Sequence, residues 1–222
     1  EIERRLGALR KVDGGFTLAR RGLVTLSDGQ EVFVKIGTNS QTKNWARREV
    51  NAYWFLKRVG YPFVPRLLSI NADATGFAIE ALTPKDGWDW SCKWTEARLS
   101  RTLEAMDALA ALPVSGPDRA YFSEEIISEK DDGWRQLLAS PHRRTMLIRR
   151  LRAVNEEKLA KSLNFAAMAA KSAQFRFAGD RLVHNDLRAD NCPWNPHRRQ
   201  VKLIDWNQLQ LGDRRIDLAT TL

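Results

Sequence analysis

The 222-residue chain changes texture once, near Pro84, which limits it to folds that join a β-rich part to a mainly helical one. Residues 6–12, 16–26 and 31–36 are rich in β-formers and are separated by Asp13-Gly14-Gly15 and Ser27-Asp28-Gly29-Gln30. Asp-Gly between such runs marks a hairpin, because glycine enters the left-handed turn position at little steric cost. A helix is expected over 42–59, stopped by Gly60 and Pro62, and a second hairpin over 65–70 and 76–82 around Asn71-Ala72-Asp73. Beyond Pro84 the periodicity becomes helical at 95–112, capped by Thr95 and stopped by Pro113, with weaker helical patterns at 123–138 and 155–174. Short apolar runs follow at 181–184 and 200–204, and 215–222 reads as the opening turns of a helix. The fold class expected is α+β with a division near Leu82: residues 1–82 form a β-rich N-terminal lobe and 83–222 a helical lobe.

Composition narrows the function classes. No apolar run approaches the roughly 20 residues that span a bilayer. No apolar signal segment follows the charged start Glu1-Ile2-Glu3-Arg4-Arg5. Two cysteines, Cys92 and Cys192, do not make a disulfide framework, so a reducing cytoplasm is the expected compartment. The 36 Lys+Arg against 27 Asp+Glu give a net charge of +9, which raises the question of nucleic acid. The basic residues are dispersed, however, apart from Arg143, Arg144, Arg149, Arg150 and Arg152, and carry no interleaved aromatics. No nucleic-acid partner is expected, and no membrane partner.

The residues that carry chemistry lie in four places. In His184-Asn185-Asp186-Leu187-Arg188-Ala189-Asp190-Asn191 an Asp is followed five positions later by an Asn, with a His two positions before it. A hydroxyl nucleophile needs a carboxylate to orient it and take its proton, and Asp186 suits that task. The amide carbonyl of Asn191 is a hard oxygen ligand without added charge, and Asp205, closing the run Val201-Lys202-Leu203-Ile204, is a carboxylate that can reach the same cation. Lys35 ends Val32-Phe33-Val34, placed to grip phosphate. Glu49 shares a helical face with Trp45, Ala46, Tyr53 and Leu56, and a carboxylate there must find a partner, for which Lys35 is the natural candidate. Each residue also has a plain reading: Asp186 and Asn191 as turn formers, Asp205 as a strand cap, Lys35 as an exposed strand end, Glu49 paired with Arg48. Order and spacing together favour the chemical one.

Taken together these residues resemble the aminoglycoside phosphotransferase and choline kinase-like family, relatives of the protein kinases, from about Leu6 to the end of the chain. The resemblance implies a bilobal protein kinase-like fold, here C-terminally incomplete, with ATP and Mg2+ between the lobes and GTP not excluded. It implies Asp186 as catalytic base, Asn191 and Asp205 as metal ligands, and Lys35 with Glu49 as the phosphate-anchoring pair. Gly14 and Gly15 would belong to the nucleotide-flap turn, and the backbone of Glu80-Ala81-Leu82 to the hinge that meets adenine. Asp217 would brace the catalytic loop through backbone hydrogen bonds, and His184 would be structural. Arg188 would either touch the γ-phosphate or pair with Asp190. Trp88, Trp90 and Trp94 would be core or a cleft wall. The acceptor implied is a small-molecule hydroxyl, as on an aminoglycoside, amino alcohol or sugar. The alternatives are a non-catalytic nucleotide-binding module and a protein kinase. The sequence departs from the pattern at Asn185, where the family more often has Gly, and at Trp206, where protein kinases have Phe.

Overall fold

The structure is a computed structural model that describes residues 8–12, 18–123, 137, 139–153, 155–158, 160–161, 163 and 179–221. The described strands β1 (Arg10–Lys11), β2 (Arg20–Thr25), β3 (Glu31–Ile36), β4 (Leu67–Ile70) and β5 (Gly76–Glu80) form one sheet in the order β1-β2-β3-β5-β4, each neighbour antiparallel. The β2–β3 turn is closed by Leu26 N–H donating to the Gln30 carbonyl at 2.8 Å, with Gly29 at φ 83 as the Asp-Gly pair requires. Alternation along β3 sends Val32 and Val34 to one face, packed with Val24 and Ala78, and turns Phe33 toward the main core with Phe77 and Ile79. Lys35, two residues beyond Phe33, emerges on that same core side, paired across the sheet with Phe77.

Helix α1 (Ser40–Arg58) starts at a reciprocal cap: Thr42 N–H donates to the Asn39 side chain at 2.8 Å and Asn39 N–H to the Thr42 hydroxyl at 3.0 Å. It ends at Gly60, φ 71, where Tyr61 N–H reaches back to the Leu56 carbonyl at 2.9 Å. Its buried stripe of Ala46, Glu49, Val50, Tyr53 and Leu56 lies against the core side of the sheet. The core continues into α2 (Glu96–Ala110), capped by Thr95, through Ala105, Met106 and Leu109. Beyond α2 lies α3 (Gly116–Phe122), whose Phe122 ring packs edge-on against Phe55, with centroids 5.1 Å apart.

Residues 1–124 and 179–222 form one compact unit and residues 125–178 a second. In the second, α4 (Pro141–Ala153) carries the arginine cluster and has no buried residue. Most of the helices expected at 123–138 and 155–174 falls outside the described residues. In the first unit the chain resumes with β6 (Arg181–Val183), β7 (Trp194–Asn195), β8 (Gln200–Val201), β9 (Gln210–Gly212) and α5 (Arg215–Thr221); β6 pairs with β9 and β7 with β8. The apolar run at 200–204 thus forms a strand over only its first two residues. Residues 202–205 leave the ladder to run beside residues 189–191, with Ile204 N–H donating to the Asn191 carbonyl at 3.1 Å. No described helix is long and apolar enough to cross a membrane.

Candidate active site

Lys35 is the centre of the site. Its Nζ donates to Glu49 Oε2 and to Asp205 Oδ1, both at 2.6 Å, so one ammonium joins β3, α1 and the segment after β8. Glu49 is 2% exposed and Lys35 8%. Burial alone would lower the Lys35 pKa, but the two carboxylates outweigh it and hold the amine protonated well above its ordinary range. Burial raises Glu49 to about 7 against the pull of Lys35. These shifts point opposite ways, one toward a neutral carboxyl and one toward a charged amine. With carboxylates on both sides of Nζ, Lys35 stays charged and Glu49 is the member that takes a proton first. Asp205 is held below its usual range: burial works against ionisation, and the Lys35 charge and hydrogen bond overcome it.

The segment after β6 is fixed from below by α5. Asp217, 2% exposed, accepts the N–H of His184 at 2.9 Å and of Asn185 at 2.7 Å. Asn185 has φ 64, a left-handed conformation in which glycine and asparagine are the tolerated residues, which explains physically why Asn can stand where the family pattern more often has Gly. His184 is fully buried, lies 4.5 Å from the Trp206 ring, and meets the Ile204 carbonyl through Nε2 at 2.9 Å. Its pKa is lowered by burial, so it is a neutral spacer between the two site segments.

Asp186 follows with both carboxylate oxygens engaged. Oδ1 accepts from Arg188 Nη1 at 3.0 Å and Oδ2 from Asn191 Nδ2 at 3.1 Å, while the same Nδ2 also holds the Asp186 carbonyl at 2.8 Å. Burial raises its pKa, opposed chiefly by Arg188. Arg188 also grips Asp190 with Nε at 3.0 Å and Nη2 at 3.1 Å, so the pairing with Asp190 is present and the same fork reaches the candidate base.

A cation at this site would find oxygen donors. Asn191 spends its amide nitrogen on Asp186, and its amide oxygen is a hard acceptor of the kind such a cation takes. Asp205 is ionised and sits at φ 66, ψ 54, a strained turn for a non-glycine residue. The Asn207 amide, oriented to satisfy its surroundings, donates to Asp205 Oδ1 at 3.2 Å and to its carbonyl at 3.1 Å. No described group of three or more His, Cys, Asp and Glu side chains could hold a metal by itself. Two oxygen ligands and no closed cage fit magnesium, which usually takes one or two protein oxygens and completes its shell with phosphate and water.

Gly14 and Gly15 lie outside the described residues. Glu80 ends β5, its N–H donating to the Arg66 carbonyl at 3.0 Å, and the Leu82 carbonyl accepts the Trp90 indole N–H at 2.7 Å. A cleft of about 520 Å³ runs along Glu80, Ala81 and Leu82 with Arg66, Lys85 and Arg198 on its walls; Lys35, Asp186, Asn191 and Asp205 are not among its lining residues. The three tryptophans divide: Trp88 is core, Trp94 is half-buried against Arg98, and Trp90 is 41% exposed. Sequence reasoning missed Arg98. Only 1% exposed, it donates to the carbonyls of Cys192 (2.9 Å), Ala189 (2.7 Å), Lys93 (3.0 Å) and Ser91. The signal was present, since Arg98 shares the buried face of α2 with Thr102, Ala105 and Leu109, the same kind of intrusion that marked Glu49.

The sequence profile of the phosphotransferase enzyme family (APH) matches residues 9–222. No curated protein matches the chain. Among solved structures, a spectinomycin phosphotransferase in complex with ADP and spectinomycin has a TM-score of 0.63 at 16% identity, over 93% of this chain and 65% of that one. An aminoglycoside-3′-phosphotransferase of type VIII has a TM-score of 0.57 at 22% identity, over 99% of this chain and 81% of that one. A choline kinase from Streptococcus pneumoniae has a TM-score of 0.55 at 15% identity, over 99% and 71%. The chain therefore spans between 65% and 81% of the length of these neighbours. At such identities the likeness is one of fold: bilobal, α+β and protein kinase-like. With the family match running through nearly its whole length, the chain belongs to the phosphotransferase enzyme family.

Proposed function

We propose that the protein transfers the γ-phosphoryl group of ATP, with magnesium, to a hydroxyl of a small molecule. One observation carries the reading: a single buried ammonium, Lys35, is held at 2.6 Å by Glu49 from α1 and by Asp205, whose segment is hydrogen-bonded to Asn191. In this reading Glu49 keeps Lys35 aimed while its charge meets the α- and β-phosphates. Asn191 and Asp205 are the residues that would hold magnesium, which when bound neutralises charge on the phosphate oxygens. Asp186 orients the acceptor hydroxyl; as its oxygen bonds to the γ-phosphorus and the bond to the β,γ-bridging oxygen breaks, the hydroxyl proton passes to the Asp186 carboxylate. Arg188 is assigned to the γ-phosphate side of Asp186, where a fixed cation stabilises charge spreading over the transferred group.

Residues 1–82, with Gly14 and Gly15 in the flap, are read as the nucleotide-binding lobe, the backbone of Glu80 and Leu82 as the hinge for the base, and 83–222 as the lobe with the catalytic and metal residues. The solved neighbours include complexes with streptomycin, gentamicin and spectinomycin, which supports an aminoglycoside, amino alcohol or sugar as acceptor. The net charge of +9 weighs against a polycationic acceptor among these, through repulsion by the summed field. Free thiols at Cys92 and Cys192 accord with action in the cytoplasm.

The test is Asp186→Ala in the full chain. ATP affinity should stay within about threefold of wild type while phosphoryl transfer falls by about 10³-fold, the scale of a lost general base. Wild-type turnover in that variant would remove Asp186 from the mechanism. A non-catalytic module would show no transfer in the wild type either.

A further inference from the structure

The mechanism above leaves one exposed tryptophan unused. Trp90 donates its indole Nε1–H to the Leu82 carbonyl at 2.7 Å, and Leu82 is one of the two hinge residues assigned to the base. The segment that carries Trp90 is built to hold it there. Gly87 turns the chain at φ 83 after the 3₁₀ turn Pro84–Asp86, and Trp88 N–H returns to the Thr83 carbonyl at 3.1 Å. Asp89 exchanges two backbone hydrogen bonds with Trp194, at 2.6 and 3.0 Å. The Asp89 carboxylate then accepts the Ser91 N–H and hydroxyl at 2.8 and 2.9 Å. Trp90 is thus clamped between residues fixed on either side. By contrast, no described residue accepts a hydrogen bond from the Leu82 N–H.

Among the described residues Leu82 thus offers a base an N–H with no acceptor and a carbonyl already bonded to the indole. The two purines respond differently. Adenine presents an amino donor and a ring-nitrogen acceptor, and needs one carbonyl and one N–H; the Glu80 carbonyl and the Leu82 N–H supply them without the Leu82 carbonyl. Guanine presents O6 as acceptor, and beside it two donors, N1–H and the 2-amino group. With O6 on the Leu82 N–H, those donors need the Leu82 carbonyl, which already accepts the indole N–H at 2.7 Å. A donor buried without its acceptor is heavily penalised.

We propose that Trp90 is a specificity-determining residue that selects ATP over GTP by occupying the Leu82 carbonyl. The inference rests on the nucleotide-site reading above and deepens it. Its test measures affinities of the full chain for ATP and GTP with magnesium by titration calorimetry, in the wild type and in Trp90→Phe, which keeps an aromatic ring and removes the N–H. The wild type should prefer ATP by about tenfold or more, equivalent to about 1.4 kcal/mol. In Trp90→Phe GTP affinity should rise by about tenfold with ATP affinity within about threefold, a change in ratio that a merely structural tryptophan would not produce. An unchanged ratio, or equal affinities in the wild type, overturns the proposal while leaving the nucleotide site standing. Absence of binding by either nucleotide in the wild type overturns both. A second measurement needs no variant: inosine triphosphate lacks the 2-amino group, so the wild type should bind it more tightly than GTP and less tightly than ATP. Equal affinity for inosine triphosphate and GTP counts against the proposal.

Discussion

Asn185 and Asp205 are both non-glycine residues in left-handed backbone, at φ 64 and φ 66, one in each of the two segments that meet at the candidate site. Such positions cost free energy and persist only where their surroundings over-determine them. Around Asn185 the determinant is Asp217; around Asp205 it is Lys35 with Asn207. The same tight environment decides the chemistry of the residue after Asn191. Cys192 is 0% exposed and burial pushes its thiol up to about 12, so almost no thiolate exists at neutral pH, whereas Cys92 is exposed. A chromogenic disulfide reagent at pH 8 is therefore expected to titrate one thiol rapidly in the folded protein and the second only after denaturation. Rapid reaction of both would show that the packing behind Asn191 is open.

Among the elements, α2 is the brace for the loop that holds Asp186 and Asn191. Its cap at Thr95 sets the first turn, and Arg98 one turn later spreads its guanidinium over carbonyls of two separate segments, 91–93 and 189–192. A buried cation satisfied by neutral carbonyls ties those segments together without any acidic partner among the acceptors it meets. Arg98→Met preserves most of the side-chain volume and strands the carbonyls, which should lower stability by on the order of 3 kcal/mol in urea denaturation. Arg98→Lys should recover part of the loss by satisfying one or two of them. A loss within about 0.5 kcal/mol for Arg98→Met would mean that the carbonyls find water instead and that α2 does not hold the loop.

For the whole molecule, the ammonium shared by Glu49 and Asp205 links the sheet, α1 and the segment after β8, and makes stability depend on pH. Glu49 has its pKa raised to about 7 when folded. A raised carboxyl binds its proton more readily folded than unfolded, so its contribution to stability is largest below the unfolded value of roughly 4.3 and declines as pH rises through the folded one. The stability of the wild type relative to Glu49→Gln should therefore fall between about pH 5 and pH 7.5, followed by urea midpoints; a difference that rises over that window would reverse the assignment. Much of this framework was legible in the residues alone. The Asp-Gly turn placed β2 and β3, the caps and stops bounded α1 and α2 to within two residues, and Glu49 on an apolar face announced a buried partner, because turns, caps and periodicity are written in neighbouring residues. Strands of two or three residues such as β7, β8 and β9 contain too few positions to show a period, and Asp205 gave no sign that it would leave the ladder for a left-handed turn. The reach of Arg188 to Asp186, that of Arg98 to residues 189–192 and the indole on the Leu82 carbonyl depend on the paths by which polar groups find partners in the folded chain. Local pattern thus determined the elements and the residue types of the site. Beyond the pairs Lys35–Glu49 and Arg188–Asp190 and the bracing by Asp217, their hydrogen-bond partners were decided by tertiary structure, since a donor is satisfied by whichever acceptor the folded chain brings within about 3 Å.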